Sequence, residues 1–237
     1  MQNLRLNADL DVDALATAYA EKKRLHIPDI LETDTAEAIA KCLTEQVPWG
    51  FAYFDGEPKY HRAEVLARMP ADEQQKILEH VTERARTGFQ YAYNTYPMLD
   101  AYLQKWNQVP LLDRVLEFIN TPETLEFMRK LTGRSDIIKG DAQATRYGPN
   151  QFLKFHTDDV HEEYRVAAFV FNFTRDWDPD WGGYLQFYDK NWDIADAFLP
   201  RFNALNIFTV PQNHAVSCVA HYATGQRYAI TGWLRYK

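Results

Sequence analysis

The 237-residue sequence predicts an α+β protein in which helices from the first half of the chain pack on a jelly-roll type β core. Two observations lead to this prediction. Helical patterns recur through residues 1–135, whereas from about residue 136 short apolar or alternating runs follow one another without a long helix between them. The chain has no internal repeat, low-complexity segment or linker. We therefore expect one domain over residues 1–237, with residues 1–135 as mostly helical support and residues 136–237 as the core.

The first half is predicted to contain four helical blocks and two extended segments. Asp11 is a candidate cap for the first helix, and Thr33 or Asp34 is a candidate cap for the second. The helical blocks cover about residues 11–24, 33–46, 70–86 and 110–132, and the extended segments cover residues 25–31 and 51–54.

An aromatic segment lies between the third and fourth helical blocks. It contains Phe89, Tyr91, Tyr93, Tyr96 and Tyr102. These side chains are candidates for lining a substrate cleft, but packing against the sheet is the favoured interpretation because large aromatic residues dominate protein cores.

The second half is predicted to consist of strands. The runs have the length and the alternating or continuous apolar character of half-buried and fully buried strands. They cover residues 137–147, 151–157, 164–174, 183–188, 205–210, 214–220 and 227–236.

Composition and charge narrow the class of protein. Hydrophobic residues make up 46% of the chain and charged residues 25%, which is typical of a globular protein with a substantial core. A formal net charge of -7 gives no large positive field, so we expect no nucleic-acid partner. The start of the chain lacks the pattern of a signal peptide, and no run approaches eighteen apolar residues, so we predict a cytoplasmic protein without a membrane segment. Neither Cys42 nor Cys218 belongs to a CxxC motif, and both are expected to be buried thiols.

A candidate metal site lies in the run from Gln151 to Asp159. In an extended segment, alternate residues share a face, so His156 and Asp158 could reach one metal ion while Asp159 would point away. A third ligand must come from another strand. His214 is the favoured third ligand, and His221 is the alternative. The two histidines would lie about 20 Å apart along a strand, so only one of them can reach the metal.

The ligand types leave more than one chemistry open. Two histidines and one carboxylate with free coordination positions are typical of non-haem Fe(II) oxygenases. The same ligands also bind zinc. A local cluster of His156, His161 and Asp158 or Asp159 is a further alternative and would favour a hydrolytic site.

Several motifs in the second half resemble one known family. The motifs run from Tyr147 to Asp158, from Trp181 to Leu185 and from Arg227 to Trp233, with His214 between the last two. In this order they look like the prolyl-4-hydroxylase-like branch of the Fe(II)/2-oxoglutarate-dependent dioxygenases, over about residues 140–236. Parts of them are similar to the ribosomal prolyl hydroxylases and to the hypoxia-sensing prolyl hydroxylases.

The resemblance implies a fold, cofactors and residue roles. The expected core is a double-stranded β-helix, which is a cupin-like jelly roll, with the N-terminal helices packed on it. His156, Asp158 and His214 would be the catalytic metal ligands for Fe(II), and 2-oxoglutarate and O2 would be the cosubstrates, with ascorbate as a candidate reductant. Arg227 would bind the distal carboxylate of 2-oxoglutarate, because a guanidinium can hold a carboxylate through two parallel hydrogen bonds. Tyr147, Asn172 and Thr231 are the other candidate cosubstrate contacts.

The resemblance also implies a substrate class. A prolyl residue in a protein or peptide is expected, and a free amino acid or another small molecule is the alternative. A zinc hydrolase and a non-catalytic binding module remain alternatives from other classes. The thirteen-residue step from His214 to Arg227 is longer than in several relatives, so an extended turn or a shifted strand pairing is expected there.

Overall fold

The structure is a computed structural model that describes residues 3–160 and 163–237. The helices are α1 (Val12–Lys22), α2 (Thr33–Glu45), α3 (Ala63–Arg68), α4 (Ala71–Thr87), α5 (Met98–Leu103), α6 (Pro110–Ile119) and α7 (Pro122–Thr132). The strands of the first half are β1 (Arg24–Pro28), β2 (Gly50–Phe54), β3 (Pro58–His61) and β4 (Tyr91–Tyr96). Those of the second half are β5 (Lys139–Gly140), β6 (Gln143–Tyr147), β7 (Phe152–His156), β8 (Arg165–Asn172), β9 (Leu185–Tyr188), β10 (Ile194–Phe198), β11 (Ala204–Thr209), β12 (His214–Val216) and β13 (Arg227–Arg235).

The strands of the described residues form one antiparallel sheet that curls into a nearly closed barrel. Its main path runs β1-β11-β8-β13-β6-β4-β7-β12-β9-β10, with the β2–β3 hairpin attached to β4, and β5 attached to β13. The two ends of this path meet through side chains, because Arg24 of β1 donates to the Asp196 carboxylate of β10 at 2.5 Å and the His26 ring lies 5.7 Å from the Phe198 ring. The predicted jelly-roll type core with N-terminal helices is therefore confirmed.

Strand β8 shows why the sequences of the core strands are continuously apolar. Successive side chains of a strand point to opposite faces. Ala167, Phe169 and Phe171 pack in the large cluster shared with the helices, whereas Ala168 and Val170 belong to a second cluster inside the barrel. Both faces of this strand are buried, so a simple alternation of apolar and polar residues does not appear in its sequence.

The helices cover the outside of the barrel with their apolar faces. Helix α6 buries Leu112, Val115, Leu116 and Ile119, which recur at helical spacing. No helix in the described ranges is long and apolar enough to cross a membrane.

The single helical block predicted over residues 110–132 is wrong, because it is two helices. Thr121 adopts an extended conformation before Pro122, as residues preceding proline generally do. Its hydroxyl then caps α7 by accepting a hydrogen bond from the Thr124 amide at 3.3 Å.

Other local predictions have mixed outcomes. Asp11 caps α1 by accepting from the Ala14 amide at 3.0 Å, as predicted. Thr33 and Asp34 lie inside α2, whose N-cap is Glu32, so neither of them is the cap. Cys42 is buried, but Cys218 is exposed, which contradicts the prediction for that thiol.

The first half contributes more strand than its sequence indicated. Strands β1 and β2 correspond to the predicted extended segments, whereas β3 and β4 were not predicted, nor was β10 in the second half. Strand β4 lies between β6 and β7 in the sheet, so part of the aromatic segment belongs to the barrel wall. Tyrosine and threonine at alternate positions favour such a strand once neighbouring strands cover them.

Candidate active site

Strand pairing brings two of the predicted metal ligands together. Strands β7 and β12 are antiparallel neighbours, and His156 lies directly opposite His214. The centres of the two imidazole rings are 4.1 Å apart. Because β12 also pairs with β9, His214 is held from both sides of its strand.

Asp158 completes the cluster from a position just beyond β7. Its Oδ1 lies 3.3 Å from Nε2 of His156, and its Oδ2 lies 3.4 Å from Nε2 of His214. The three ligand atoms all lie within 4.8 Å of one another. The predicted convergence is present, but the expected reason is wrong, because β7 ends at His156 and Asp158 has a left-handed backbone with φ of 60°. Asp159 is exposed and does not belong to this cluster.

Both histidines are oriented in the same way. Nδ1 of His156 donates to the backbone oxygen of Lys154 at 2.9 Å, and Nδ1 of His214 donates to that of Gln212 at 2.8 Å. A carbonyl oxygen only accepts, so Nδ1 carries the proton and Nε2 presents its lone pair to the cluster. Such hydrogen bonds fix the tautomer and the ring orientation of metal-binding histidines.

The electrostatics of the cluster favour a bound cation. Burial would raise the pKa of the Asp158 carboxyl, but the imidazole groups of His156 and His214 outweigh this effect and hold that pKa well below its usual range. Burial lowers the pKa of His214, and the Asp158 carboxylate only partly opposes this shift. A carboxylate beside a neutral imidazole is the protonation state that metal coordination requires.

A cavity of about 500 Å³ extends from the cluster into the barrel. At its closed end lies Arg227, which is only 3% exposed and lies opposite Tyr147 in the pairing of β13 with β6. Burial lowers the pKa of Arg227, which Tyr147 opposes, but a guanidinium stays protonated in proteins. Its Nε has no hydrogen-bond partner, and no carboxylate among the described residues forms an ion pair with it. An unpaired buried cation is costly, so this end of the cavity suits an anionic ligand.

The other predicted site residues divide into two groups. Thr231 lines the cavity, on the same face of β13 as Arg227. Asn172 does not line it, and its amide nitrogen donates to the backbone oxygens of Val170 and Ala204 at 3.2 and 3.3 Å.

The alternative third ligand, His221, does not join the cluster. His221 is exposed and contacts the Tyr222 ring at 5.1 Å instead. Between His214 and Arg227, strand β12 ends at Val216, and the longer connection is a loop, as the spacing predicted. His161, the basis of the local hydrolytic cluster, lies outside the described residues.

Three residues at the mouth of the cavity were not predicted from the sequence. The Arg165 guanidinium lies 3.8 Å above the Trp233 ring and donates to the Glu163 carboxylate at 2.6 Å. The Trp233 indole nitrogen is buried without a hydrogen-bond partner, and the side chain lines the cavity. The alternation from Arg227 through Thr231 to Trp233 on β13 was the sequence signal that placed Trp233 on the cavity face.

The aromatic segment is divided by the fold. Phe89, Tyr91 and Tyr93 alternate along the chain and line the cavity. Tyr96 is fully buried in the large core against Trp106, outside the cavity. The side chains with period-two spacing therefore form one wall of the candidate site.

A larger groove of about 790 Å³ lies between α5, α6 and the end of β13. Its lining includes Leu103 and Leu116 but no member of the metal cluster. We place the chemistry in the smaller cavity, because the metal ligands and the buried cation converge there.

A facial cluster of two histidines and one aspartate inside a jelly-roll barrel is typical of non-haem iron oxygenases. Residues 142–235, which include the three ligands and Arg227, match the family model described as "2OG-Fe(II) oxygenase superfamily". The matched segment is thus similar to this superfamily, and together with the cluster it implies Fe(II) and 2-oxoglutarate as cofactor and cosubstrate. A search of curated proteins by sequence found no match.

Solved structures share the fold over 94–100% of this chain. An oxidoreductase of the 2OG-Fe(II) oxygenase family from Burkholderia pseudomallei is similar with a TM-score of 0.65 and 11% identity, covering 100% of this chain and 97% of that one. A prolyl-4-hydroxylase from Pseudomonas putida is similar with a TM-score of 0.53 and 14% identity, covering 99% and 96%. A prolyl 4-hydroxylase from Phytophthora capsici is similar with a TM-score of 0.58 and 15% identity, covering 94% and 62%. At such identities the likeness establishes the fold.

Proposed function

We propose that the protein is a prolyl hydroxylase that acts on a protein or peptide and depends on Fe(II), 2-oxoglutarate and O2, with ascorbate as a candidate reductant. The observation that carries the substrate assignment is the pairing of charges at the mouth of the cavity. Arg165 is bound by Glu163, and Glu163 is also bound by Arg235 at 2.9 Å. Charged groups that already neutralise one another offer little to a charged substrate.

The residues fit the cofactor and the cosubstrate. Two atoms that bind one metal ion at about 2.1 Å and at right angles are about 3.0 Å apart. The Asp158 oxygens lie at similar distances, 3.3 and 3.4 Å, from Nε2 of His156 and of His214. In the proposed enzyme His156, Asp158 and His214 hold Fe(II). Iron with 2-oxoglutarate and O2 supplies the oxidising power for hydroxylation, with succinate and carbon dioxide as the other products.

The closed end of the cavity fits the distal carboxylate of 2-oxoglutarate. The unpaired Nε of Arg227 supports this role, because a bound carboxylate would neutralise the buried cation. Tyr147 contacts the same guanidinium, and Thr231 offers a hydroxyl on the same strand face. The position of Asn172 gives no support to the contact expected for it, since its amide nitrogen is used by the backbone.

A free amino acid is the less favoured substrate for electrostatic reasons. It carries an ammonium and a carboxylate, and each would need a partner when it leaves water. A residue within a polypeptide carries neither charge on its backbone. The paired state of Arg165 and Glu163 therefore supports a peptide-embedded residue, and the shared fold with two prolyl 4-hydroxylases supports a prolyl residue by analogy.

The match of residues 142–235 to the family model and the intact cluster favour the oxygenase over the zinc hydrolase and the binding module. A cytoplasmic location, and the absence of a nucleic-acid partner, stay predictions from the sequence.

The proposal is tested with a pool of 15-residue peptides that carry one central proline and randomised flanks, and with a matched pool that carries alanine instead. We expect a mass increase of about 16 Da in the proline pool, dependent on Fe(II), 2-oxoglutarate and O2. A mixture of free L-amino acids is assayed in parallel. Hydroxylation of a free amino acid without hydroxylation of any peptide would overturn the proposed substrate class.

A further inference from the structure

We propose that Phe54, Phe89 and Tyr91 form a rigid wall that packs on the ring of the substrate prolyl residue beside the metal centre, and that Gln90 positions this wall. This inference rests on the proposed function and adds to it the residues that select the substrate. None of them belongs to the part of the chain matched by the family model.

The three rings form one continuous surface. Phe54 lies 5.4 Å from Phe89 and 6.3 Å from Tyr91, and Phe89 lies 5.9 Å from Tyr91, all measured between ring centres. All three side chains line the cavity. The Phe89 ring also lies 5.8 Å from the ring of His156, so the wall borders a metal ligand directly.

The wall continues inwards toward the anion end of the cavity. Tyr91 lies 5.4 Å from Tyr93, and Tyr93 stacks on Tyr147 at 5.0 Å. Exposure falls along this row, from 38% at Phe89 to 8% at Tyr93 and 3% at Tyr147. Because Tyr147 contacts Arg227, the inner rings lie beside the proposed cosubstrate, and the outer rings remain for the substrate.

Gln90 joins the two chain segments that carry the wall. This side chain is fully buried, and its amide nitrogen donates to the backbone oxygen of Phe54 at 2.8 Å. Its amide oxygen accepts hydrogen bonds from the backbone amides of Phe54 and Tyr91 at 2.8 and 2.9 Å. One glutamine thus satisfies three backbone groups, which fixes the rings of β2 relative to those of β4.

Lys154 connects the wall to the metal ligand. Its backbone amide donates to the backbone oxygen of Gln90 at 3.0 Å, and its ammonium group donates to the backbone oxygens of Ala85 and Gly88 at 2.7 and 2.5 Å. Its own backbone oxygen accepts from Nδ1 of His156. The wall and the imidazole therefore share one hydrogen-bonded frame, which holds a substrate carbon at a constant place relative to the metal.

The chemistry of the wall selects an uncharged ring. Its three side chains present aromatic faces and a single hydroxyl, with no ionised group. A charged side chain would lose water there without gaining a counter-charge, whereas the methylene groups of a pyrrolidine ring pack well on aromatic faces. Proline-containing segments are commonly bound by aromatic surfaces for this reason.

The test compares Phe89→Ala with Tyr102→Ala, because Tyr102 is 39% exposed, belongs to the same aromatic segment and lies outside the cavity. The probe is the pool of proline peptides described above. For Phe89→Ala we expect the peptide KM to rise about two- to tenfold, the range expected for one lost ring contact, and less hydroxyproline per succinate. The KM for 2-oxoglutarate and the anaerobic Fe(II)–2-oxoglutarate absorbance should not change. Tyr102→Ala should behave as the wild type.

Gln90→Met tests the positioning role, because methionine preserves length and volume but replaces none of the three hydrogen bonds. We expect hydroxyproline per succinate to fall while the KM for 2-oxoglutarate is preserved, a separation that a general loss of stability would not produce. If this variant fails to fold, the Phe89→Ala result decides alone. The proposed wall would be contradicted if Phe89→Ala had a peptide KM, and a yield of hydroxyproline per succinate, within twofold of the values for Tyr102→Ala. Succinate production by the wild type without hydroxylation of any proline peptide would instead overturn the proposed substrate, and with it the prolyl occupant.

Discussion

The guanidinium carbon of Arg227 lies 5.0 Å from the centre of the Tyr147 ring, at the closed end of the cavity. The two residues are direct partners in the pairing of β13 with β6. Strand pairing thus fixes a buried cation against an aromatic face, while no carboxylate of the described residues neutralises it. This uncompensated charge destabilises the ligand-free folded protein, and an anionic cosubstrate would neutralise it.

Arg227→Met is expected to separate cosubstrate binding from stability. Removing one partner of a buried charge pair costs about 2 kcal/mol or more, so the KM for 2-oxoglutarate should rise roughly 30-fold or more. The ligand-free variant should unfold at the same temperature as the wild type or higher, because an uncompensated buried charge is gone. The increase in Tm that 2-oxoglutarate gives the wild type should disappear. Thermal unfolding with and without 2-oxoglutarate measures both effects.

The control for that experiment is Arg175→Met, since Arg175 is exposed and pairs with Glu37 on the surface. It should leave both the KM and the ligand-induced increase in Tm unchanged. An Arg227→Met protein that still gains thermal stability from 2-oxoglutarate would contradict the proposed binding mode.

Asp158→Ala is expected to abolish iron binding, whereas Asp159→Ala should retain it. Loss of a residue that only supports a metal ligand typically costs 10- to 100-fold in affinity, so loss of a ligand should cost roughly 100-fold or more. Anaerobic titration with Fe(II) in the presence of 2-oxoglutarate, followed by its visible absorbance, gives the affinity. Succinate formation after admission of O2 gives the activity. Equal iron affinities for the two variants would rule out Asp158 as a ligand.

Glu163→Gln is expected to lower the free energy of unfolding at neutral pH but not at acidic pH. Burial would raise the pKa of Glu163, but its bonds to Arg235 and Arg165 outweigh this effect and lower that pKa. A lowered carboxyl pKa means that the ionised form stabilises the fold above the ordinary value of about 4.3, and that this contribution is lost as the pH falls through the lowered pKa. Because Glu163 is partly exposed, we expect a difference on the order of 1 kcal/mol at pH 7.

Urea unfolding from pH 7 downward measures this difference, which should shrink below about pH 4.3 and vanish once Glu163 is protonated in the folded state. Glu57→Gln is the control, because Glu57 forms an exposed ion pair with Lys59 and should have almost no effect at any pH. A difference for Glu163→Gln that grows on acidification would have the wrong sign for a lowered pKa.

Gly232→Ala is expected to destabilise the barrel strongly. A Cβ at this position would lie 1.8 Å from the backbone oxygen of Asp141 and 2.8 Å from the Phe169 ring. The clash is with backbone in the middle of a paired strand, so we expect a loss of more than about 3 kcal/mol in the free energy of unfolding. At Gly88 a Cβ would meet no atom within 4 Å, and Gly88→Ala should change stability by less than about 1 kcal/mol. Chemical denaturation of both variants checks the contrast.

Two of the metal ligands were accessible to sequence reasoning because they are close together in the chain. His156 and Asp158 are two residues apart, a spacing that allows both side chains to reach one ion unless the segment is helical, because a helix would place them on different faces. The reasoning selected the right aspartate but assumed a strand that extends to it. The left-handed backbone at Asp158 depends on the surrounding structure, and alternation along a strand does not reveal it.

The aromatic wall and the mouth of the cavity were harder to predict, since they depend on distant parts of the chain. The sequence treated Phe89, Tyr91, Tyr93, Tyr96 and Tyr102 as one set, and only the pairing of β4 with β6 and β7 separates those in the cavity from those outside it. The amide of Gln90 likewise acts on Phe54, thirty-six residues away in the chain.

The sequence by itself determined the class of fold, the three metal ligands and the buried arginine that an anion would neutralise. The fold class and the pair of His156 and Asp158 follow from residue types and short spacings, whereas His214 and Arg227 were selected by the order of the motifs that resemble a known family. The tertiary structure alone decided that His214 lies opposite His156, that Asn172 turns to the backbone, and that a strand from the first half closes the site with aromatic rings. The reason is physical: strand register and sheet order arise from burying both faces of many distant strands at once, and no single segment contains that information.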